Sequence, residues 1–409
     1  MLARLLLASC AGGTVFSCMA TAATPQAGQG AEATQSKAHA RSAKSGAAKT
    51  AVQPVGASAK KSGHPSTRKA VRKTSASRPV ASGPSYATRA DALQLAQAIA
   101  TRRELDLQWV RKAIAGAHLM PGIVRASLPP ASGVAKNWAA YRSRFIEAVR
   151  INAGVRFWRD NRDALARAER EYGVPAAIVV GIVGVETLYG QQTGNYRVMD
   201  ALTTLALDFP QAHPKAAARA AFFAAELEEF LVLTARTHTD PLALRGSYAG
   251  ALGMPQFMPS SWSKYAVDFD GDGHVDLFHS ATDVIGSVAH YFQSFQWQPG
   301  MPTHYPVQFD LQKLDRAALL APDILPTFSA QEFQARGVIL DAAAQQHTGP
   351  LALVELQNGE AEPSYVAGTQ NFYAITRYNW SSYYAMAVIE LGQAVQDALQ
   401  QQDALAVTK

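Results

Sequence analysis

From Tyr86 onward, apolar residues recur at three- and four-residue spacing over long stretches, the signature of helices with one buried face. The pattern predicts helices over Asp91 to Ala100, Leu105 to Ala117 and Val134 to Val149. A helix over Asp160 to Tyr172 opens on an Asp/Asn cap and stops at Gly173. Ala216 to Thr237 carries Phe222, Phe223, Leu227, Phe230, Leu231 and Leu233 on one broad stripe. Asp283 to Phe295 and Ser382 to Leu399 are two more, each opened by a capping residue.

One stretch has no polar face at all. Pro175 to Val185 is eleven residues without a charge, and Glu186 follows it. Its Ile and Val content favours a strand. Pro175 at a first-turn position and the continuation of the run to Tyr189 favour a helix, the reading adopted here. A segment apolar on every side is buried, so Glu186 should sit where a buried wall opens. Desolvation there raises a carboxyl pKa, and an acid still protonated near neutral pH can act as a general acid. The plainer alternative is a buried Glu paired with an Arg, since structural ion pairs perturb pKa as well.

Between Gln298 and Gly368 the texture changes. Prolines recur, and the short runs Tyr305 to Leu311, Gly337 to Asp341, Ala352 to Gln357 and Ser364 to Ala367 read as strands. Helix returns after Phe372, so these runs form a small β-rich unit inserted in a helical protein.

The N-terminal part alters the picture of where the chain works. Met1 to Arg4 is a short basic start, Leu5 to Met19 is uncharged and apolar or small, and Ala20-Thr21-Ala22 fits a small-x-small cleavage site. This reads as a secretory signal peptide over residues 1–22, too short to span a membrane. The two cysteines, Cys10 and Cys18, both lie within it. Cleavage at Ala22 leaves no cysteine and therefore no disulfide. Leu7-Ala8-Ser9-Cys10 resembles a lipoprotein box, which keeps a lipid-anchored form through Cys10 or Cys18 as a second reading. Residues 23–84 hold eleven Lys and Arg against the single acid Glu32, and no aromatic residue. Such a segment buries too little apolar surface to fold, so a disordered basic linker is expected. The whole chain carries +6; with the linker and Arg4 set aside, residues 85–409 carry −5. The basic balance belongs to a tail. An exported protein rarely meets nucleic acid, so a solvated tether or a contact with envelope phosphates is the expected role.

Three further clusters could carry chemistry. Gly246 to Trp262, GSYAGALGMPQFMPSSW, has three glycines and two prolines that force an irregular, closely approaching backbone. Ser247, Tyr248 and Gln256 add neutral hydrogen-bonding groups, a mixture suited to a sugar; a helix-connecting loop capped by Ser260 and Ser261 is the alternative. Asp268, Asp270 and Asp272 at positions one, three and five, with Gly273 at six, match the start of a calcium loop. Its twelfth position is His279 rather than Glu, so Asp283 would close a longer loop, unless it only caps a helix. Asn371 to Tyr384 is dense in aromatics and amides that could stack on a saccharide or simply pack a seam. There is no HExxH helix, GxSxG elbow or phosphate-binding glycine loop.

Together Glu186 in VGVETLYG, the Gly246 block, the Asp-rich loop and NFYAITRYN resemble the membrane-bound lytic transglycosylase B family, from about Tyr141 to Gln396. The resemblance implies a mainly α (α+β) fold with a lysozyme-like core. The helical domain would be 85–175, joined by part of 205–240. The core would be 176–298 with 369–404, and the β unit 299–368. It implies peptidoglycan glycan strands as substrate, in the periplasm or envelope of a Gram-negative bacterium. Glu186 would be the sole catalytic acid and then base, and the product a 1,6-anhydro sugar. Ser247 and Gln256 would hold substrate, and Tyr141, Tyr291, Tyr378, Asn379 and Tyr384 would line the groove. Asp268, Asp270, Asp272, the His274 carbonyl and Asp283 would hold calcium. No organic cofactor is implied, and the chain is expected to act as a monomer. Two departures stand out: the step from Asp272 to Asp283 is one residue longer than the pattern, and Trp380 follows Asn379 where His is common.

Overall fold

The computed structural model describes residues 82–129 and 136–407. The signal peptide and all but the last residues of the basic linker lie outside the described residues. Within them the chain is mainly helical, with one four-stranded and one two-stranded sheet.

The helix Ala176–Thr187 buries every residue except Ala177. An all-apolar helix can only be stable when wrapped, and each buried Val or Ile contributes about 1.5–3 kcal/mol. The wrapping comes from the helices Ala148–Asp160, Arg162–Tyr172, Ala281–Ser294 and Ser382–Val407. Pro175 stands just outside the first turn, at the N-cap, with φ −57° and ψ 139°. Contact with the Ser382–Val407 helix is backbone to backbone. A Cβ on Gly181 would lie 2.2 Å from the Val388 carbonyl oxygen, and one on Gly392 would lie 2.0 Å from that of Ala177.

The helices Ala90–Arg103 and Leu107–Ala115 pack on each other, and Val198–Leu207 packs on Ala216–Arg236. Arg102 and Arg103 reach the Glu228 carboxylate at 2.7 and 2.6 Å, tying the first group to the second. Burial at Val198 to Leu205 is continuous and takes in the polar Asp200, Thr203 and Thr204.

Three expected boundaries differ. The predicted Val134 to Val149 helix, whose first two residues lie outside the described residues, is two: Trp138–Arg142 and Ala148–Asp160. The Glu147 carboxylate accepts from the Val149 and Arg150 N–H groups and so starts a new helix where the apolar spacing alone runs on. The Ala281–Ser294 helix is capped by the Ser280 hydroxyl, not by Asp283. The Pro259–Tyr265 helix has no side-chain cap; the buried Glu226 carboxylate, from another helix, takes the Ser260 N–H and hydroxyl at 2.9 and 2.7 Å.

The four-stranded sheet is antiparallel throughout, in the order Val338–Leu340, His304–Phe309, Ala361–Gly368, Ala352–Asn358. Successive side chains of a strand face opposite ways. Ala352, Val354 and Leu356 accordingly join the main core, while Leu353 joins a small separate cluster with Tyr305, Phe333 and Leu340. The chain returns to helix at Gln370, capped by the Thr369 hydroxyl, and the Asn371 side-chain amide donates to the Gln298 and Met301 carbonyls at 2.8 Å each. No helix among the described residues is long and apolar enough to cross a membrane.

Candidate active site and cation loop

Glu186 lies in the last turn of its helix, and the chain then reverses sharply. Leu188, Tyr189 and Gly190 take φ of 50°, 57° and 82° in succession. Left-handed backbone at non-glycine residues is strained by roughly 1–3 kcal/mol each and persists only where the surroundings enforce it. The enforcing contacts are visible. The Thr187 hydroxyl donates to the Met254 carbonyl at 2.8 Å and accepts from the Gly190 N–H at 3.0 Å. The Arg150 guanidinium donates to the Gly184 carbonyl. The Tyr189 ring packs on Phe157, 5.2 Å between centroids. Neither Arg150 nor Thr187 carried a sequence signal, because each acts through a partner far along the chain.

The Glu186 side chain is 2% exposed. Its Oε1 accepts from the Tyr384 hydroxyl at 2.5 Å, and its Oε2 is buried with no hydrogen-bond partner. Among the described residues no guanidinium pairs with it, which disfavours the ion-pair alternative. Burial pushes its pKa up from 4.5 to about 8, and the Tyr384 hydrogen bond moderates the rise. Burial, with the Glu186 charge beside it, also holds the Tyr384 phenol well above its usual range. Tyr384 therefore stays a donor. The carboxylates nearest downstream are engaged elsewhere: Asp200 with Arg197 at 2.6 Å, Asp208 with Arg89 at 2.6 Å and the Tyr86 hydroxyl at 2.6 Å.

The Gly246 block lies against this end through Met254. The Ser247 hydroxyl accepts from the Ala251 and Ala249 N–H groups at 2.9 and 3.3 Å, closing its own turn. Gln256 adopts φ 50° and is 1% exposed. Its amide nitrogen donates to the Gly253 and Thr193 carbonyls at 2.9 and 3.1 Å, while its Oε1 is buried without a partner. Two expected groove tyrosines lie beneath the loop instead. Tyr378 donates to the Pro255 carbonyl at 2.5 Å and Tyr291 to the Arg377 carbonyl at 2.7 Å, both rings at most 1% exposed. Their hydroxyls are committed to backbone, which makes them supports. Tyr378 stacks on Tyr384 at 6.4 Å. Tyr141 is half-buried against Trp138, Phe145 and Tyr383, and Asn379 is half-buried at the end of the Gln370–Tyr378 helix.

The Asp-rich loop is a different construction. Oxygens of Asp268, Asp270 and Asp283 lie within 4.8 Å of one another. Asp268 accepts from the Gly271 and Gly273 N–H groups at 2.7 and 2.8 Å, and Asp283 from those of Phe269 and Asp276 at 2.8 Å each. Burial raises the Asp283 pKa, against those N–H bonds. Three carboxylate oxygens converging in an open turn are the hard donor set a calcium ion takes, and nothing crowds a Cβ at Gly271 or Gly273. Asp272 stands outside this triad, its Oδ1 accepting from the His274 N–H at 2.8 Å.

Comparison with known proteins agrees with this layout. Residues 88–393 match the model of the transglycosylase SLT domain. Membrane-bound lytic murein transglycosylase B of Escherichia coli is 38% identical over 321 residues, 76% of this chain and 84% of that protein. The E. coli lytic transglycosylase SLT35 in complex with bulgecin A superposes with TM-score 0.69 at 37% identity, covering 78% of this chain and 97% of that one. SLT35 is also solved in complex with calcium, at 36% identity, TM-score 0.66 and the same coverage. SltB1 of Pseudomonas aeruginosa gives TM-score 0.67 at 40% identity, covering 75% and 99%. SltB3 of the same organism, solved in complex with NAG-anhNAM-pentapeptide, gives 0.62 at 28% identity, covering 75% and 79%. The lysozyme-like helical core, its buried acid and these likenesses agree: the chain belongs to the lytic murein transglycosylase family of enzymes that act on peptidoglycan.

Proposed function

We propose that the chain cleaves the β-1,4 bond between N-acetylmuramic acid and N-acetylglucosamine, with Glu186 as its single acid and base and 1,6-anhydro-muramic ends as product. The observation that carries the reading is the state of Glu186: buried, bonded only to a neutral phenol, and neutral below about pH 8. A neutral carboxyl can protonate the glycosidic oxygen as the bond to C1 breaks. Tyr384 then steadies the carboxylate left behind by donating to Oε1. The muramic 2-acetamido group supports the anomeric centre. Glu186 next takes the proton of the muramic C6 hydroxyl while that oxygen closes on C1, so no water is consumed. A hydrolase of the two-carboxylate type needs a second acid beside the first. Among the described residues only burial and Tyr384 act on the Glu186 carboxyl. Gln256 and Ser247 hold substrate beside it, and the complex of SltB3 with NAG-anhNAM-pentapeptide supports the anhydro outcome.

Calcium sits at Asp268, Asp270 and Asp283, with the His274 carbonyl as a further ligand. Its role is to fasten the loop to the Ala281–Ser294 helix, and no chemical step passes through it. The calcium complex of SLT35 supports this assignment. The site of action is the cell envelope, with the signal peptide delivering the chain to the periplasm.

The test is mass spectrometry of digested sacculi. Products one water lighter than reducing ends are expected from wild type, and Glu186→Gln should bind sacculi without releasing them. Reducing-end products from wild type, or release by the variant, would overturn the reading.

A further inference from the structure

Phe269 stands in the Asp-rich loop between Asp268 and Asp270, which carry two of its three converging carboxylates. Its side chain is 3% exposed, an apolar anchor in a stretch otherwise made of acids and glycines. Gly286 leaves room for it on the Ala281–Ser294 helix that also carries Asp283: a Cβ there would lie 2.3 Å from the ring's Cγ. Tyr172 closes a second side, 5.9 Å between centroids.

Arg167 covers what is left. Its guanidinium carbon lies 3.9 Å from the Phe269 ring centroid, within the range of cation–π attraction. The same guanidinium donates to the Phe269 carbonyl at 2.7 Å. The Phe269 N–H goes to the Asp283 carboxylate at 2.8 Å. Both backbone groups of this residue are therefore fixed, one by a candidate cation ligand and the other by the Arg162–Tyr172 helix. Among the described residues the ion pair of Arg167 is with Glu171, 2.7 Å from its Nε, and not with an acid of the loop. Glu171 offsets the guanidinium charge, so what Arg167 offers the loop is a flat cover and a hydrogen-bond donor.

We propose that Arg167 is a positioning residue for the cation: by clamping Phe269 it holds Asp268 and Asp270 in place for calcium and couples the loop to the Arg162–Tyr172 helix. The inference rests on the calcium reading above and adds the residue that readies the site. Ligands fixed before the ion arrives lose less freedom on binding, and groups behind the ligands set metal affinity. The same helix packs on the Glu186 helix, and its Glu169 carboxylate accepts from the Ala176 N–H in that helix's first turn at 3.2 Å. One element is thus gripped by the loop at one point and seats the catalytic helix at another.

The test titrates calcium chloride calorimetrically into the full chain after stripping with chelator, and reads the melting temperature with and without the ion. Arg167→Ala is expected to raise the Kd for calcium by about three- to ten-fold, the order for losing a ring contact and a charge-assisted hydrogen bond at a solvent-facing site. It should shrink the gain in melting temperature that calcium gives, with the value in chelator changed far less. Arg167→Lys keeps a donor over the ring and should fall between wild type and Arg167→Ala. Arg162→Ala, on the same helix but facing Asp403 at 3.4 Å, should leave the Kd unchanged. Tighter binding by Arg167→Ala would make Arg167 a repelling charge. Equal losses of melting temperature with and without calcium would make it ordinary packing. A matching rise in Kd for Arg162→Ala would make the effect one of helix stability. Each of these overturns the proposal, as does an unchanged Kd for Arg167→Ala. Wild type that binds no calcium would overturn the calcium reading with it, an outcome distinct from a wild type that binds and a variant that binds equally well.

Discussion

The end of the Glu186 helix and the Asp268–Asp283 loop are both built around carboxyl groups, and they treat them in opposite ways. Glu186 is enclosed by apolar side chains, has one partner, and keeps one oxygen with none. The loop surrounds Asp268 and Asp283 with backbone N–H groups and leaves the turn open. The first setting favours the neutral form and prepares a proton for transfer. The second favours charge at the exposed Asp268, works against burial at Asp283, and prepares converging oxygens for a cation. Chemical identity of the side chain decides neither role; the balance of burial and donors around it does.

The sharpest way to break this contrast is to remove the proton. Glu186→Gln should lower glycan release by about 10²–10⁴-fold while melting no lower than wild type. Turnover on sacculi and a thermal scan measure both.

A second expectation concerns pH. Glu186 has a folded pKa of about 8 against an ordinary 4.5. Between these values the folded chain holds a proton that the unfolded chain has lost, so its contribution to stability falls as pH rises. That contribution is complete below pH 4.5 and gone above about 8, a difference on the order of 5 kcal/mol. Denaturant titrations from pH 4 to 9 should show it as the slope that Glu186→Gln lacks. Activity should fall through the same upper limit as the acid loses its proton.

Tyr384→Phe separates support from chemistry. It removes the donor that steadies the carboxylate, so kcat should fall by about 10–100-fold. That hydrogen bond also lowers the Glu186 pKa, so the alkaline limb of the pH profile should move upward. A limb moving downward would contradict the arrangement.

On the loop side, calcium at about a hundred times its dissociation constant should stabilise the fold by about 2.7 kcal/mol, read as a melting temperature raised by a few degrees and reversed by chelator. Asp270→Asn should abolish the gain. The smallest effect is expected at Asp272, which stands outside the triad; Asp272→Asn should change calcium-bound stability by no more than about 0.5 kcal/mol.

Much of this was legible in the chain, for physical reasons that differ by region. The burial of Glu186 follows from an uncharged run eleven residues long. The strands of the sheet show as short runs in a proline-rich region, and all four appear within a few residues of their expected bounds. The break at Glu147 was not legible, because a side chain capping the next helix leaves the apolar spacing intact. Nor was the pairing of Glu186 with Tyr384, 198 residues apart, readable from either segment alone; only the family resemblance brought Tyr384 near the site. The support roles of Tyr291 and Tyr378 stayed hidden because aromatic content does not say whether a hydroxyl meets a ligand or a carbonyl.

The bare backbones at Gly181 and Gly392 have a consequence for the acid itself. Glu186 rides on one of the two crossing helices and Tyr384 on the other, so the spacing of the phenol and the carboxyl is set by how closely the two rods can touch. Two absent methyl groups thereby act as the calliper of the active site. Adding either one would part the rods and stretch the bond that tunes the proton, without altering any residue that meets the sugar.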